Sequence, residues 1–135
     1  MIKRVDHIGI AVKSLAEAVP VYETILGLEL TGYETVDDQM VRVAKVHGGD
    51  DCIELLEPTS PESPIAKFLA KRGPGIHHIC LAVDDIEAVL ARFAAAGLEL
   101  IDKKPRLGAG GCRIAFVHPK STGGVLIELS EKVHG

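Results

Sequence analysis

The sequence predicts an α+β fold of two tandem βαβββ modules forming a curved, cleft-enclosing mixed sheet. Three observations carry this. His7-Ile8-Gly9-Ile10-Ala11-Val12 recurs as His78-Ile79-Cys80-Leu81-Ala82-Val83, a shift of 71 positions. Gly27-Leu28-Glu29-Leu30 is answered by Gly97-Leu98-Glu99-Leu100, and Ile53-Glu54-Leu55 by Ile127-Glu128-Leu129 at a shift of 74. Self-similarity at a fixed offset marks a duplicated supersecondary unit. Each copy follows one plan: strand, helix, three strands. The modules span about 1–58 and 76–131 and are joined by an insert at 59–75, all within one domain, as 135 residues allow.

Taken in order, the elements have local reasons. The first strand alternates apolar and small residues. The first helix opens at Ser14 with Glu17 three residues on, a capping-box spacing. Pro20 within it should kink the helix or delay its start, and Gly27 sits where a left-handed residue ends one. Strand runs follow at 40–47 and 51–57. The insert has its own short helix, with Ser63 as cap, Pro64 at the first helical position and Gly73 past the end. The second module's helix opens at Asp84 with Glu87 three residues on and stops at Gly97. Strand runs at 112–118 and 124–130 complete it.

Composition excludes several classes of function. Net charge is −4 with a sequence pI near 5.8, and no basic stripe for nucleic acid is present. No apolar run approaches the roughly 20 residues of a membrane-spanning helix. The first residues enter a strand pattern at once, leaving no room for a targeting segment. Three cysteines, Cys52, Cys80 and Cys112, read as reduced thiols. The expectation is a cytoplasmic protein that binds neither nucleic acid nor membrane.

Side chains alternate across a strand. Ile8, Ile10 and Val12 therefore share the helix-covered face, while His7, Gly9 and Ala11 face away. In the repeat, His78, Cys80 and Ala82 face away likewise. Ile53 and Leu55 turn Glu54 to the side opposite the core, as Ile127 and Leu129 do for Glu128. A single His or Glu on a strand is usually a hydrogen-bonded or exposed residue, but matching pairs in both copies are hard to explain so. A lone buried carboxylate is also costly. Two imidazoles and two carboxylates make a borderline-hard donor set suited to a divalent Co, Mn, Ni, Fe or Zn ion.

These residues resemble the vicinal oxygen chelate (glyoxalase/bleomycin resistance) superfamily. Within it the chain is similar to the methylmalonyl-CoA epimerases over nearly its whole length. The shared words are Val5-Asp6-His7-Ile8-Gly9-Ile10-Ala11-Val12, Glu54-Leu55-Leu56-Glu57-Pro58, Ser63-Pro64-Ile65-Ala66-Lys67-Phe68-Leu69, Gly75-Ile76-His77-His78-Ile79, and the closing run from His118 to Leu129. The resemblance implies epimerisation of methylmalonyl-CoA at C2, in propionyl-CoA metabolism, by proton abstraction and return through a metal-stabilised enolate. It implies one divalent ion per chain (Co2+ first, with Mn2+, Ni2+ or Zn2+ as alternatives) on His7, Glu54, His78 and Glu128, and a homodimer. Glu128 matches a glutamate that is both ligand and base. Some members supply a second glutamate where this chain has Val43, which cannot move a proton. Either Glu54 is then the second base or a metal-bound water is.

Other positions carry weaker signals. Lys120 and Ser121, in the closing run, could meet the CoA moiety, and Lys103, Lys104 and Arg106 could attract its phosphates; a solvated loop explains all of these equally well. His77 faces opposite to His78 and reads as structural. Gly108-Ala109-Gly110-Gly111 lacks the strand–turn–helix context of a phosphate loop and reads as a turn or as flexible backbone. Cys80 reads as a small residue leaving space, with a thiolate ligand as the alternative, and His47 and His134 read as surface residues. Two rival functions share the scaffold: a glyoxalase I-type lactoylglutathione lyase and a metal-free small-molecule binding module. The Ser63–Leu69 insert and the His118–Gly124 run speak against the first, and the complete ligand set against the second.

Overall fold

A computed structural model describes residues 1–133, and His134 lies outside the described residues. The described residues form an α+β structure of three α-helices and eight strands, with the chain divided into two compact units. One unit is His7–His77. The other combines Met1–Asp6 with the chain from His78 onward, so β1 (Ile2–Ala11) contributes its two halves to different units. No helix among the described residues is long and apolar enough to cross a membrane.

In the His7–His77 unit, β1 is followed by α1 (Leu15–Pro20), β2 (Glu29–Val36), β3 (Val41–Gly48), β4 (Asp51–Pro58) and α2 (Pro64–Arg72). The strand order is β2-β3-β4-β1, antiparallel except for the parallel β4/β1 pair. The Ser14 hydroxyl accepts from the Glu17 amide at 3.3 Å, as the capping spacing requires. Pro20, which has no N–H to offer, ends α1, and the chain widens there into a π-helical turn at Val21–Ile25 rather than kinking and continuing as α-helix. Gly27 then takes φ 81°, as Gly97 takes 88° after its own helix. Leu15 and Val19 of α1 pack with Val12, Ala44 and Leu55 on one face of the sheet. Ile65 of α2, capped by Ser63 with Pro64 at its start, packs with Ala11, Val41, Val43 and Leu56 on the other. The insert helix thus roofs part of the face that also carries Glu54.

The second unit takes β5 (Gly75–Val83) from His78 onward, and it leads to α3 (Ile86–Ala95), β6 (Arg106–Leu107), β7 (Arg113–Val117) and β8 (Ile127–Glu131), in the order β5-β8-β7-β6. Ile86, Val89 and Leu90 of α3 pack against Val83, Ala115 and Leu129. Two expectations change here. The cap of α3 is Asp85, whose Oδ1 accepts from the Ala88 amide at 3.2 Å, not Asp84. Asp84 is instead paired with the amino group of Met1. The first of the three strands after the helix shrinks to an isolated Leu100–Val117 bridge and the two residues of β6.

Candidate metal centre and active site

Each unit carries one buried His–Glu pair. In the first, His7 and Glu54 are 7% and 8% exposed, with Nδ1 3.4 Å from Oε2. In the second, His78 and Glu128 are 6% and 8% exposed, with Nε2 3.0 Å from Oε1. The alternation argument explains their placement. Gly9 is the register partner of Glu54 on β4, and Cys80 that of Glu128 on β8. Each glutamate therefore stands beside a small residue, and each histidine two positions earlier on the same strand face. Cys80 is fully buried, consistent with a space-leaving role. An imidazole and a carboxylate held a few ångströms apart in a dry setting are donor types that suit a divalent cation.

Three residues beyond each of these glutamates stands a second one that turns to the opposite face and caps a helix. Glu57 Oε1 accepts from the Leu15 amide at 2.7 Å, at the start of α1. Glu131 Oε1 accepts from the Ile86 amide at 2.8 Å, at the start of α3. The carboxylate satisfies an amide that has no partner within the helix and meets the positive end of its dipole. Each Glu-x-x-Glu run thus presents one carboxylate beside a histidine and pins the module's helix with the other. The recurrence of the run at 54–57 and 128–131 was the available signal for it.

The strands next to β4 and β8 add two residues that the sequence alone did not single out. Lys45 on β3 is the register partner of Glu54, and Phe116 on β7 is that of Glu128. Register partners on antiparallel strands share a face, so one glutamate has an ammonium stem beside it and the other an aromatic ring. The Phe116 ring also meets the His78 ring edge-on, centroids 6.1 Å apart.

Val43 is 2% exposed and lies among the residues under α2, an apolar position with no proton to exchange. His77 packs edge-on against Phe68 of α2 at 5.1 Å, and the exchangeable Nδ1 of His47 meets the Thr31 hydroxyl at 3.1 Å. Lys120 Nζ pairs with Glu99 Oε1 at 2.7 Å, and the Ser121 hydroxyl accepts from the Glu99 amide at 2.9 Å. Both residues thereby tie their loop to the segment after α3. The Lys120 hydrogen bond, foremost, holds the Glu99 carboxyl below the ordinary carboxylate range. Arg106 pairs with Asp102 at 3.2 Å and lies over Phe116, while Lys103 and Lys104 border a shallow groove along α3. Gly108–Gly111 forms a tight turn between β6 and β7, closed by the Gly108 amide donating to the Cys112 carbonyl at 2.9 Å.

The chain matches the glyoxalase/bleomycin resistance protein/dioxygenase superfamily over residues 6–116. It is similar to an ethylmalonyl-CoA/methylmalonyl-CoA epimerase of Cereibacter sphaeroides, 40% identical over 97% of this chain and 99% of the relative. It is similar to the crystal structure of methylmalonyl-CoA epimerase from Mycobacterium tuberculosis, with a TM-score of 0.92 and 41% identity over 98% of this chain and 90% of that one. It is also similar to a methylmalonyl-CoA epimerase solved with methylmalonyl-CoA and NH4+, with a TM-score of 0.91 and 37% identity over 98% and 96% of the two chains.

Proposed function

This chain belongs to the methylmalonyl-CoA epimerase family of the glyoxalase/bleomycin resistance protein/dioxygenase superfamily, and from that premise we propose that it interconverts the C2 epimers of methylmalonyl-CoA using one divalent ion on His7, Glu54, His78 and Glu128. The observation that carries this reading is the buried His–Glu pair repeated in each unit. A scaffold has little reason to bury two such pairs at equivalent positions unless they work together, since buried carboxylates are costly without strong partners. Two neutral imidazoles and two carboxylates also match the charge of a divalent cation and leave coordination positions open on an octahedral one.

The chemistry follows from the acidity of a C–H bond flanked by a thioester and a carboxylate. The C2–H bond breaks, its electron pair enters the enolate, and a proton carried by a second acid/base is delivered to the opposite face. When bound, the divalent ion supplies Lewis-acid stabilisation of the enolate oxygens, a contribution of several kcal/mol. Glu128 takes the proton on one face. With Val43 where some family members have a glutamate, Glu54 serves the other face. His7 and His78 hold the two carboxylates in place. Fixing the C2–H bond against a carboxylate adds the positioning contribution. As in the family, the enzyme is expected to act as a homodimer, which light scattering on the purified protein tests.

Deuterium uptake at C2 of methylmalonyl-CoA, measured with and without chelator, tests the assignment. Rapid uptake that the chelator abolishes and divalent metal restores is the expected result. Faster isomerisation of a glutathione hemithioacetal by the metal-loaded protein would replace this reading with the lactoylglutathione lyase reaction.

A further inference from the structure

One group beside Glu54 has no part in the reaction as described. Gly32, Lys45, Glu54 and Gly9 are successive register partners across β2, β3, β4 and β1, so they form one row on one face of the sheet. Lys45 stands directly opposite Glu54, a placement that puts the two Cβ atoms about 4.5–5.5 Å apart. Gly32 and Gly9, at the ends of the row, add no side chain to it. The Lys45 ammonium lies 3.5 Å from Glu34 Oε1, with side-chain exposures of 34% and 32%. That is a long, partly solvated pair, which adds little to stability. The scaffold does not require a cation here. The position equivalent to Lys45 at the 71-residue shift is Phe116, likewise the register partner of its module's glutamate.

We propose that Lys45 is a substrate-anchoring residue, whose ammonium leaves Glu34 to hold the free carboxylate of a malonyl-type acyl-CoA. The proposal rests on the epimerase reading. Lysine suits the task because its flexible stem carries three donors that can swing between partners, and Glu34 keeps the charge balanced while no substrate is bound. A cation at this point also separates substrates by chemistry: acyl-CoAs with a carboxylate on C2 gain the contact and simple acyl-CoAs do not.

The test compares metal-loaded wild-type protein with Lys45→Met and Lys45→Arg in calorimetric binding of malonyl-CoA and of propionyl-CoA. The two ligands differ only in that malonyl-CoA carries a carboxylate where propionyl-CoA carries a methyl group. Loss of a charge-assisted hydrogen bond should weaken malonyl-CoA by about ten- to hundredfold in Lys45→Met. Propionyl-CoA binding should stay within about twofold, the change expected when a charge-assisted contact is not made by that ligand. Lys45→Arg should recover most of the affinity for malonyl-CoA. Equal weakening of both ligands, weakening of neither, or wild-type protein that does not prefer malonyl-CoA would each overturn the proposal. C2 deuterium uptake from methylmalonyl-CoA by the same wild-type preparation reports separately on the epimerase reading. Uptake with no effect of Lys45→Met on malonyl-CoA binding sinks only the anchor, whereas no uptake sinks the reading beneath it.

Discussion

Replacing His78 with Ala tests the metal site and the energetics of its burial together. The imidazole is nearly buried, and its Nε2 stands 3.0 Å from Glu128 Oε1. Breaking a buried pair from one side costs about 3–5 kcal/mol. The lower end, about 3 kcal/mol, applies here because Glu128 has further interactions in the structure. Against a total stability of about 5–15 kcal/mol the fold survives. The melting temperature falls by roughly 12 °C, at about 4 °C per kcal/mol for a chain of this size. Metal linkage adds a separate signature. At a free-ion concentration a hundredfold above Kd, a bound ion stabilises by about 2.7 kcal/mol, so chelator should lower the wild-type melting temperature by roughly 11 °C. His78→Ala should show no chelator effect and no bound metal by elemental analysis. His77→Ala gives up the edge contact with Phe68, about 0.5–1.5 kcal/mol, and should keep both its metal and its response to chelator. A His78→Ala protein that retains wild-type metal content would refute the assignment.

Metal-saturated Glu54→Gln and Glu128→Gln should each lose epimerisation by about 10²–10⁴-fold, yet each should still exchange deuterium from one epimer, and the spared epimer should differ between them. A Glu54→Gln enzyme that epimerises at the wild-type rate would leave Glu54 as a ligand only. Glu57→Ala and Glu131→Ala, which remove the carboxylates from the starts of α1 and α3, should each cost about 1–2 kcal/mol in chemical denaturation without loss of metal; metal loss in either would show that the cap also shapes the site. The Glu99 carboxyl is depressed chiefly by its hydrogen bond to Lys120, so that tie is intact at neutral pH and is lost as the pH falls through the depressed value. Protection of the 118–122 amides, measured relative to their intrinsic exchange rates at each pH, should therefore fall in acid and be reduced already at neutral pH in Glu99→Gln; unchanged protection in that variant would contradict the role of the tie.

The duplication and the face of each strand were legible because they depend on offset and parity, which a single chain displays. That His7 and Glu54, and likewise His78 and Glu128, lie on one face as buried pairs follows from those two properties. What escaped the sequence depends on pairing between segments. Asp84 and Asp85 both have the chemistry of a cap, and the sequence does not tell which one takes the role that Asp85 holds while Asp84 pairs with the Met1 amino group. Pro20 signals a break in helical hydrogen bonding but not that the chain will answer with a π-helical turn. The neighbours of the two glutamates depend on antiparallel register. In the first unit a shift between Leu30 and Gly32 puts β2 out of simple alternation with β3, which no count along one strand reveals. In the second, the lysine and proline run at 103–105 leaves only a two-residue β6, although the repeat called for a full strand.

The duplicated modules agree in what holds the fold and differ beside the reacting groups. Both bury a His–Glu pair, both pin a helix with a glutamate three residues on, and both set a small residue against the glutamate of the pair. They part at Lys45 and Phe116. A perfectly symmetric pair of modules would treat the two ends of a chelated substrate alike, yet methylmalonyl-CoA carries a carboxylate at one end of its acyl group and a thioester at the other. A lysine in register with Glu54 and an aromatic ring in register with Glu128 would, under the proposed function, give the two halves opposite preferences, charged against apolar. Under the proposed function the first module receives the carboxylate and the second packs the thioester end. Exchanging the two side chains, Lys45→Phe with Phe116→Lys, should then invert or abolish the preference for malonyl-CoA over propionyl-CoA, whereas a scaffold indifferent to these positions would keep it.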